Sequence, residues 1–119
     1  MSRTGNPILD SNIHTLMQVH KKSSAKIWLS AIECLSRSNA RRVLANVGKI
    51  SRLTKDGDLV LVPGKVLGGG TIVHKVTVGA YSFSEKASWK IQKAGGKTLS
   101  LGGFVKKFPH GREVILVGG

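Results

Sequence analysis

Four consecutive branched aliphatic residues, Leu59-Val60-Leu61-Val62, constrain this chain more than any other feature. A strand that is apolar at every position has no face to give to water, so it must be covered on both sides. That requirement points to a mixed α/β fold in which helices and strands share one core. Two further pieces read as short strands, Val43 to Val47 and Thr71 to Val78, and Lys55-Asp56-Gly57-Asp58 reads as a turn ahead of the buried strand. Pro63-Gly64 reads as a rigid turn leaving it.

Helical periodicity flanks these pieces. Asn6-Pro7 has the form of an N-cap followed by proline at the first helical position, and Leu9, Ile13, Leu16, Met17 and His20 then recur at helical spacing over about 7–20. Ser23 or Ser24 is placed to cap a second helix with Ile27, Trp28, Ala31, Ile32 and Leu35 on its apolar face, running to Ser38-Asn39. Together they predict an N-terminal helical hairpin whose turn carries Lys21, Lys22 and Lys26. Ser82 with Glu85 three residues on fits a capping box, and Gly95-Gly96 supplies a stop, which bounds a helix of about 83–94. A strand at 97–100, a helix near 102–108 ending at Pro109 and a strand from Glu113 to Val117 complete the expectation.

With 119 residues the chain reads as a single domain, 1–119, with helices over about 7–37 and a glycine-rich α/β core over about 41–119. The fold class is mixed α/β (α+β): an N-terminal helical hairpin, then a compact domain of irregular β-β-α turns with short strands. Fifteen glycines imply tight turns or close backbone approaches, and six aromatic residues leave the core to aliphatic side chains.

Charge indicates the partner. Nineteen Lys and Arg against six Asp and Glu give +13, and a compact domain carrying that excess requires an anion to neutralise it. Nucleic acid is the first candidate. No apolar run approaches the ~20 residues needed to cross a bilayer and MSRTGNPILDSN lacks an apolar signal core, so a soluble, intracellular protein is expected, with no membrane partner. Cys34 stands alone among apolar neighbours and reads as a buried inert thiol. His14, His20, His74 and His110 have no metal-ligand spacing, so neither metal nor other cofactor is expected. The six acids form no catalytic motif, and no small-molecule substrate or homo-oligomer is expected.

The candidate contacts fall into clusters. Arg37, Arg41 and Arg42 precede "NVGKISRLTKDG", which adds Lys49, Arg52 and Lys55. On a helix turning ~100° per residue, Lys86, Lys90, Lys93 and Lys97 share a narrow stripe without an acidic partner four residues away, although Lys97 lies past the glycine stop. Phe83, Ala87, Ile91 and Ala94 occupy the neighbouring, core-facing arc. Lys106 and Lys107 follow, with Arg112 in a less distinctive tail. Gly64 and the run Gly68-Gly69-Gly70 lie between Lys65 and Lys75. They match neither G-x-x-x-x-G-K-[ST] nor G-x-G-x-x-G, and a strand rather than a helix is expected next, so a nucleotide pocket is rejected. Two uses stay open: a turn with positive backbone angles, or a side-chain-free surface on which amides approach a phosphate backbone. His74 suits either a base or ribose contact or a local structural role. Most aromatic residues fall at core spacing, so recognition is expected to rest on phosphates, ribose hydroxyls and the shape of folded RNA.

The run "LANVGKISRLTKDGDLVLVPGKVLGGGTIVHKVTVGAYSFSEKASWKIQKAGG", Leu44 to Gly96, resembles large-subunit ribosomal protein eighteen of the archaeal and eukaryotic type, related to the C-terminal part of bacterial large-subunit protein fifteen. The resemblance is carried by KI-x-R at 49–52, GD at 57–58, VPGKVLG-x-G at 62–70, HKVTV at 74–78, FS at 83–84 and AGG at 94–96. NP-x-L at 6–9 and Ile27-Trp28 extend it, and the short chain looks more archaeal than eukaryotic. It implies a non-enzymatic, cytoplasmic constituent of the large ribosomal subunit that supports translation, bound to large-subunit ribosomal RNA and neighbouring ribosomal proteins. By that resemblance Lys49, Arg52, Gly64, Lys65, Gly68, Gly70, His74 and Lys75 lie near RNA. The rival reading is a general basic RNA- or DNA-binding module outside the ribosome.

Overall fold

A computed structural model describes residues 7–37 and 42–118. Two helices, α1 (Pro7–Ser23) and α2 (Lys26–Leu35), precede an alternating series: β1 (Val43–Asn46), α3 (Val47–Leu53), β2 (Asp58–Leu67), β3 (Val76–Phe83), α4 (Glu85–Lys93), β4 (Lys97–Ser100), α5 (Leu101–Lys107) and β5 (Val114–Leu116). No helix among the described residues is long and apolar enough to cross a membrane.

The strands form one sheet in the order β1-β2-β3-β4, every pair parallel, with β5 also paired to β2. Because β3 lies along one edge of β2, the other edge is shared: β1 takes Gly64 to Leu67 and β5 takes Leu59 to Leu61. The expected two-sided cover of β2 is present. Val60 and Val62 face a cluster with Val47 and Ile50 of α3 and Ala87 and Ile91 of α4. Leu61 faces the opposite way, onto Leu9, Ile13 and Leu16 of α1, Trp28 and Leu35 of α2, and Leu101 and Phe104 of α5. The result is three layers, with α3 and α4 on one side of the sheet and α1, α2 and α5 on the other.

Several local expectations are corrected. The Asn6 cap and the Ser38-Asn39 end of the second helix lie outside the described residues. Ala25, not Ser23 or Ser24, is the N-cap of α2 and makes no side-chain cap bond; Ser23 Oγ instead accepts from the Ala25 N–H at 3.3 Å, and Ser24 turns the chain at φ 59°. Residues 47–53, which carry no long helical period, form α3 rather than continuing β1. Pro63-Gly64 is no turn: both residues lie inside β2, at a register shift between Val62 and Lys65 against β3. Such an irregularity lets a sheet accept proline without losing a ladder bond.

At α4 the cap is Ser84, two residues after Ser82. Pairing of Lys65 with Ser82 and Val66 with Phe83 holds β3 extended up to that point, and the Ser84 N–H donates to Val66 O. Ser84 Oγ then accepts from the Ala87 N–H at 3.1 Å. The Gly95-Gly96 stop is a Schellman closure: Gly95 sits at φ 88°, its N–H donates to Gln92 O, and the Gly96 N–H donates to Ile91 O.

Residues 71–75 are not strand, because they belong to the connection between β2 and β3. Val76 pairs with Asp58, so the segment 68–75 must return along all of a ten-residue strand, a path of about 30 Å. Fully extended, the chain from Leu67 to Val76 reaches at most about 32 Å. Parallel neighbours are normally joined by a helix. Here the connection is an irregular strap across the α3–α4 face, bent at Gly70 and His74 and anchored in the core by Ile72. Its far end meets the turn before β2, where the Gly57 N–H donates to Lys75 O and the Lys75 N–H to Asp56 Oδ1.

Candidate nucleic-acid interface

The strap, α3 and α4 build the candidate surface. Gly48, in the first turn of α3, donates its N–H to Gly69 O at 3.0 Å. Gly70 passes so close that a Cβ on it would lie 2.7 Å from Gly48 Cα, and its φ of 82° itself favours glycine. From the other side Lys90 Nζ donates to Gly68 O at 2.7 Å and to Gly70 O at 2.5 Å. The glycine run is therefore pinned between two helices. Gly68 is buried beneath the Lys86 stem, whereas Gly69 and Gly70 present exposed backbone.

Beside that backbone Leu44, Asn46, Gly48, Lys49 and Arg52 line a concavity of about 310 Å³ with Gly69 and Gly70. Arg52 is exposed and Lys49 half-buried. Lys86 and Lys93 are exposed on α4. Cations on α3 and α4 thus flank a low ridge without side chains, a form that admits a phosphate backbone to close range.

Other sequence candidates lie elsewhere or do protein work. Gly64 is buried, and a Cβ there would collide with the Val43 carbonyl, so its glycine serves the β1–β2 approach. His74 Nε2 is 2.8 Å from Thr54 Oγ1. Lys55 and Lys75 sit at the start of β2 and β3, joined there by Lys97, which pairs with Thr77 and has left the α4 stripe. Lys65 lines a different concavity with Arg42 and Tyr81. The Arg42 guanidinium stands 5.9 Å from the Tyr81 ring centroid and donates from Nη2 to Arg37 O at 3.1 Å. Arg41 lies outside the described residues. Lys106 and Lys107 are exposed on α5, on the other side of the sheet.

Reasoning from sequence missed two contributors. One is the Asn46–Gly48 cradle under the strap. The other is Trp89, which is 58% exposed and holds Lys93 Nζ 4.6 Å from its ring centroid. Its position three residues after Lys86 and four before Lys93 puts it within the lysine stripe, the signal that would have found it.

A wider concavity, about 660 Å³, lies at the C-terminal ends of β3 and β4 beside α4. Ligands favour that location in parallel α/β sheets. Five of its polar side chains are occupied with structure: Ser84 Oγ and Ser100 Oγ cap helices, and Gln92 Nε2 donates to Ser88 Oγ and Thr98 Oγ1. Glu85 is the one carboxylate among its lining residues, which include no histidine, cysteine or lysine.

Residues 12–99 match the family described as ribosomal proteins 50S-L15, 50S-L18e and 60S-L27a, a span that takes in the strap, α3 and α4. Curated relatives agree in name and extent. The large ribosomal subunit protein eL18 of Pyrobaculum aerophilum is 40% identical over 102 residues, 86% of this chain and 84% of the relative. The eL18 of Methanococcus maripaludis is 39% identical over 112 residues, 94% of this chain and 93% of its own length. That of Archaeoglobus fulgidus is 39% identical over 115 residues, 97% and 98%. The family is one of structural ribosomal proteins rather than enzymes. A parallel-sheet domain with a glycine strap held between two basic helices therefore belongs to the ribosomal protein family of 50S-L15, 50S-L18e and 60S-L27a.

Proposed function

We propose that this chain is a structural constituent of the large ribosomal subunit that binds and stabilises folded large-subunit ribosomal RNA, and so acts in the cytoplasm in support of translation. The observation that carries the reading is the exposed Gly69-Gly70 backbone flanked by Lys49 and Arg52 on α3 and by Lys86 and Lys93 on α4. Folded RNA offers phosphates and ribose hydroxyls on a relief that such a ridge can follow, and contact of this kind needs no pocket. Lys55, Lys75 and Lys97 at the strand starts extend the positive surface. Lys106 and Lys107, across the sheet, suit a second RNA segment or the acidic surface of a neighbouring ribosomal protein.

Sedimentation of a native lysate through a high-salt sucrose gradient tests the assignment, with the chain followed by mass spectrometry. Co-migration with the large subunit supports it, and release to the top of the gradient supports the general nucleic-acid-binding module instead. The face itself is tested by RNA affinity against salt concentration. Lys86→Gln with Lys93→Gln should lower the slope of log K on log salt by about 1 to 2, roughly one for each phosphate no longer neutralised. An unchanged slope removes α4 from the interface.

A further inference from the structure

We propose that Trp89 is a stacking platform for an unpaired nucleobase of the bound RNA, a proposal that rests on the RNA-binding reading above. The chain has two tryptophans with opposite placements. Trp28 is fully buried and its Nε1–H donates to Pro109 O at 3.0 Å. Trp89 leaves 58% of its surface in water in the middle of a cationic helix face, an unusual position for an indole. Lys86 and Lys93 lie one helical turn to either side of it.

The ring is also the wall of a groove. Thr71, Ile72 and Val73 of the strap, Lys90 and Lys93 of α4 and its C-cap Ala94 enclose about 380 Å³ with it, within the rough 300–1,000 Å³ range of small-ligand sites. Val73 is 86% exposed at the rim. The groove is mostly apolar, yet the Lys93 ammonium over the ring and Lys86 on the preceding turn favour an anion. A nucleotide satisfies both demands: its base lies on the indole and against Val73, and its phosphate takes the Lys93 ammonium from the ring face. An apolar peptide would cover the ring and leave the cations unpaired. A duplex keeps its base faces inside its own stack, so the occupant is a bulged, looped or terminal nucleotide.

The test uses the full-length protein with two probes compared at one salt concentration, a single-stranded hexaadenylate and a blunt RNA duplex long enough to stay paired. Contact quenching of the intrinsic fluorescence reports on Trp89, because the buried Trp28 emits but is shielded from a stacked base. Hexaadenylate should quench the emission and the duplex should not. Trp89→Ala should weaken hexaadenylate binding, measured by anisotropy, roughly five- to 150-fold, with duplex affinity unchanged, and Trp89→Phe should retain most of it. Hexaadenylate that binds without quenching, or that binds Trp89→Ala as well as the native chain, overturns stacking while leaving RNA binding intact, and reassigns the groove to an apolar protein segment. Equal weakening of both probes by Trp89→Ala and Trp89→Phe also overturns it, since a distorted helix rather than a lost platform then explains the effect. Binding to neither RNA overturns the RNA reading and this proposal together.

Discussion

Gly70→Ala tests whether the strap depends on its approach to Gly48, and Gly57→Ala is its natural control. Both glycines hold left-handed backbone, at φ 82° and 88°. A Cβ in that conformation costs roughly 1–2 kcal/mol. At Gly57 nothing lies within 4 Å of the added carbon, so this is the whole expected loss. At Gly70 the carbon would stand 2.7 Å from Gly48 Cα and 3.0 Å from Gly48 N, backbone atoms that no rotamer change can move. The strap must therefore lift away from α3. Lifting weakens the Gly48 N–H bond to Gly69 O, worth about 0.5–1.5 kcal/mol, and the charged Lys90 bond to Gly70 O, at the low end of about 1.5–3 kcal/mol because it is exposed. Gly70→Ala should therefore lose about 3–5 kcal/mol against about 1–2 for Gly57→Ala. Urea unfolding followed by far-ultraviolet circular dichroism, compared at a common m-value, measures both. Equal losses in the two variants would refute the close approach as the reason for glycine at 70.

Two further expectations concern the same side of the sheet. Lys90→Met keeps the stem but removes the donor to Gly68 O and Gly70 O; it should cost about 1–2 kcal/mol and speed amide exchange at Gly48, and unchanged exchange there would show that the strap is held without Lys90. Ser84→Ala removes the acceptor for the Ala87 N–H and should cost about 1 kcal/mol, read as a lower thermal midpoint, whereas Ser82→Ala should be nearly neutral to capping; the reverse order would restore Ser82 as the cap.

Much of the local structure was legible because its causes are local. The period of Leu9, Ile13 and Leu16 sets α1, the Gly95-Gly96 pair closes α4 through hydrogen bonds within six residues, and Leu59 to Val62 demanded cover on both faces. What was misread depended on partners distant in sequence. Thr71 to Lys75 has the composition of a strand, but composition is a local property and pairing is not: the register of Asp58 with Val76 turns those residues into a strap. The same ladder, continued to Phe83, moves the cap of α4 from Ser82 to Ser84. Seven residues with one basic residue in the last turn gave too little periodicity to reveal α3.

The candidate site divides in the same way. Composition alone determined that the chain carries +13 and suits a polyanion, because net charge is a sum over residues and indifferent to fold. Motif order determined the family. Only the tertiary structure decided which cations act together, since α3 and α4, separated in sequence by two strands, are brought to one face by packing against Val60 and Val62. It also decided what the glycines are for. All four meet neighbours at close range, Gly64 at Val43, Gly68 at Lys86, Gly69 at Asn46 and Gly70 at Gly48, partners that no local pattern names, but Gly64 and Gly68 are buried by them whereas Gly69 and Gly70 keep exposed backbone.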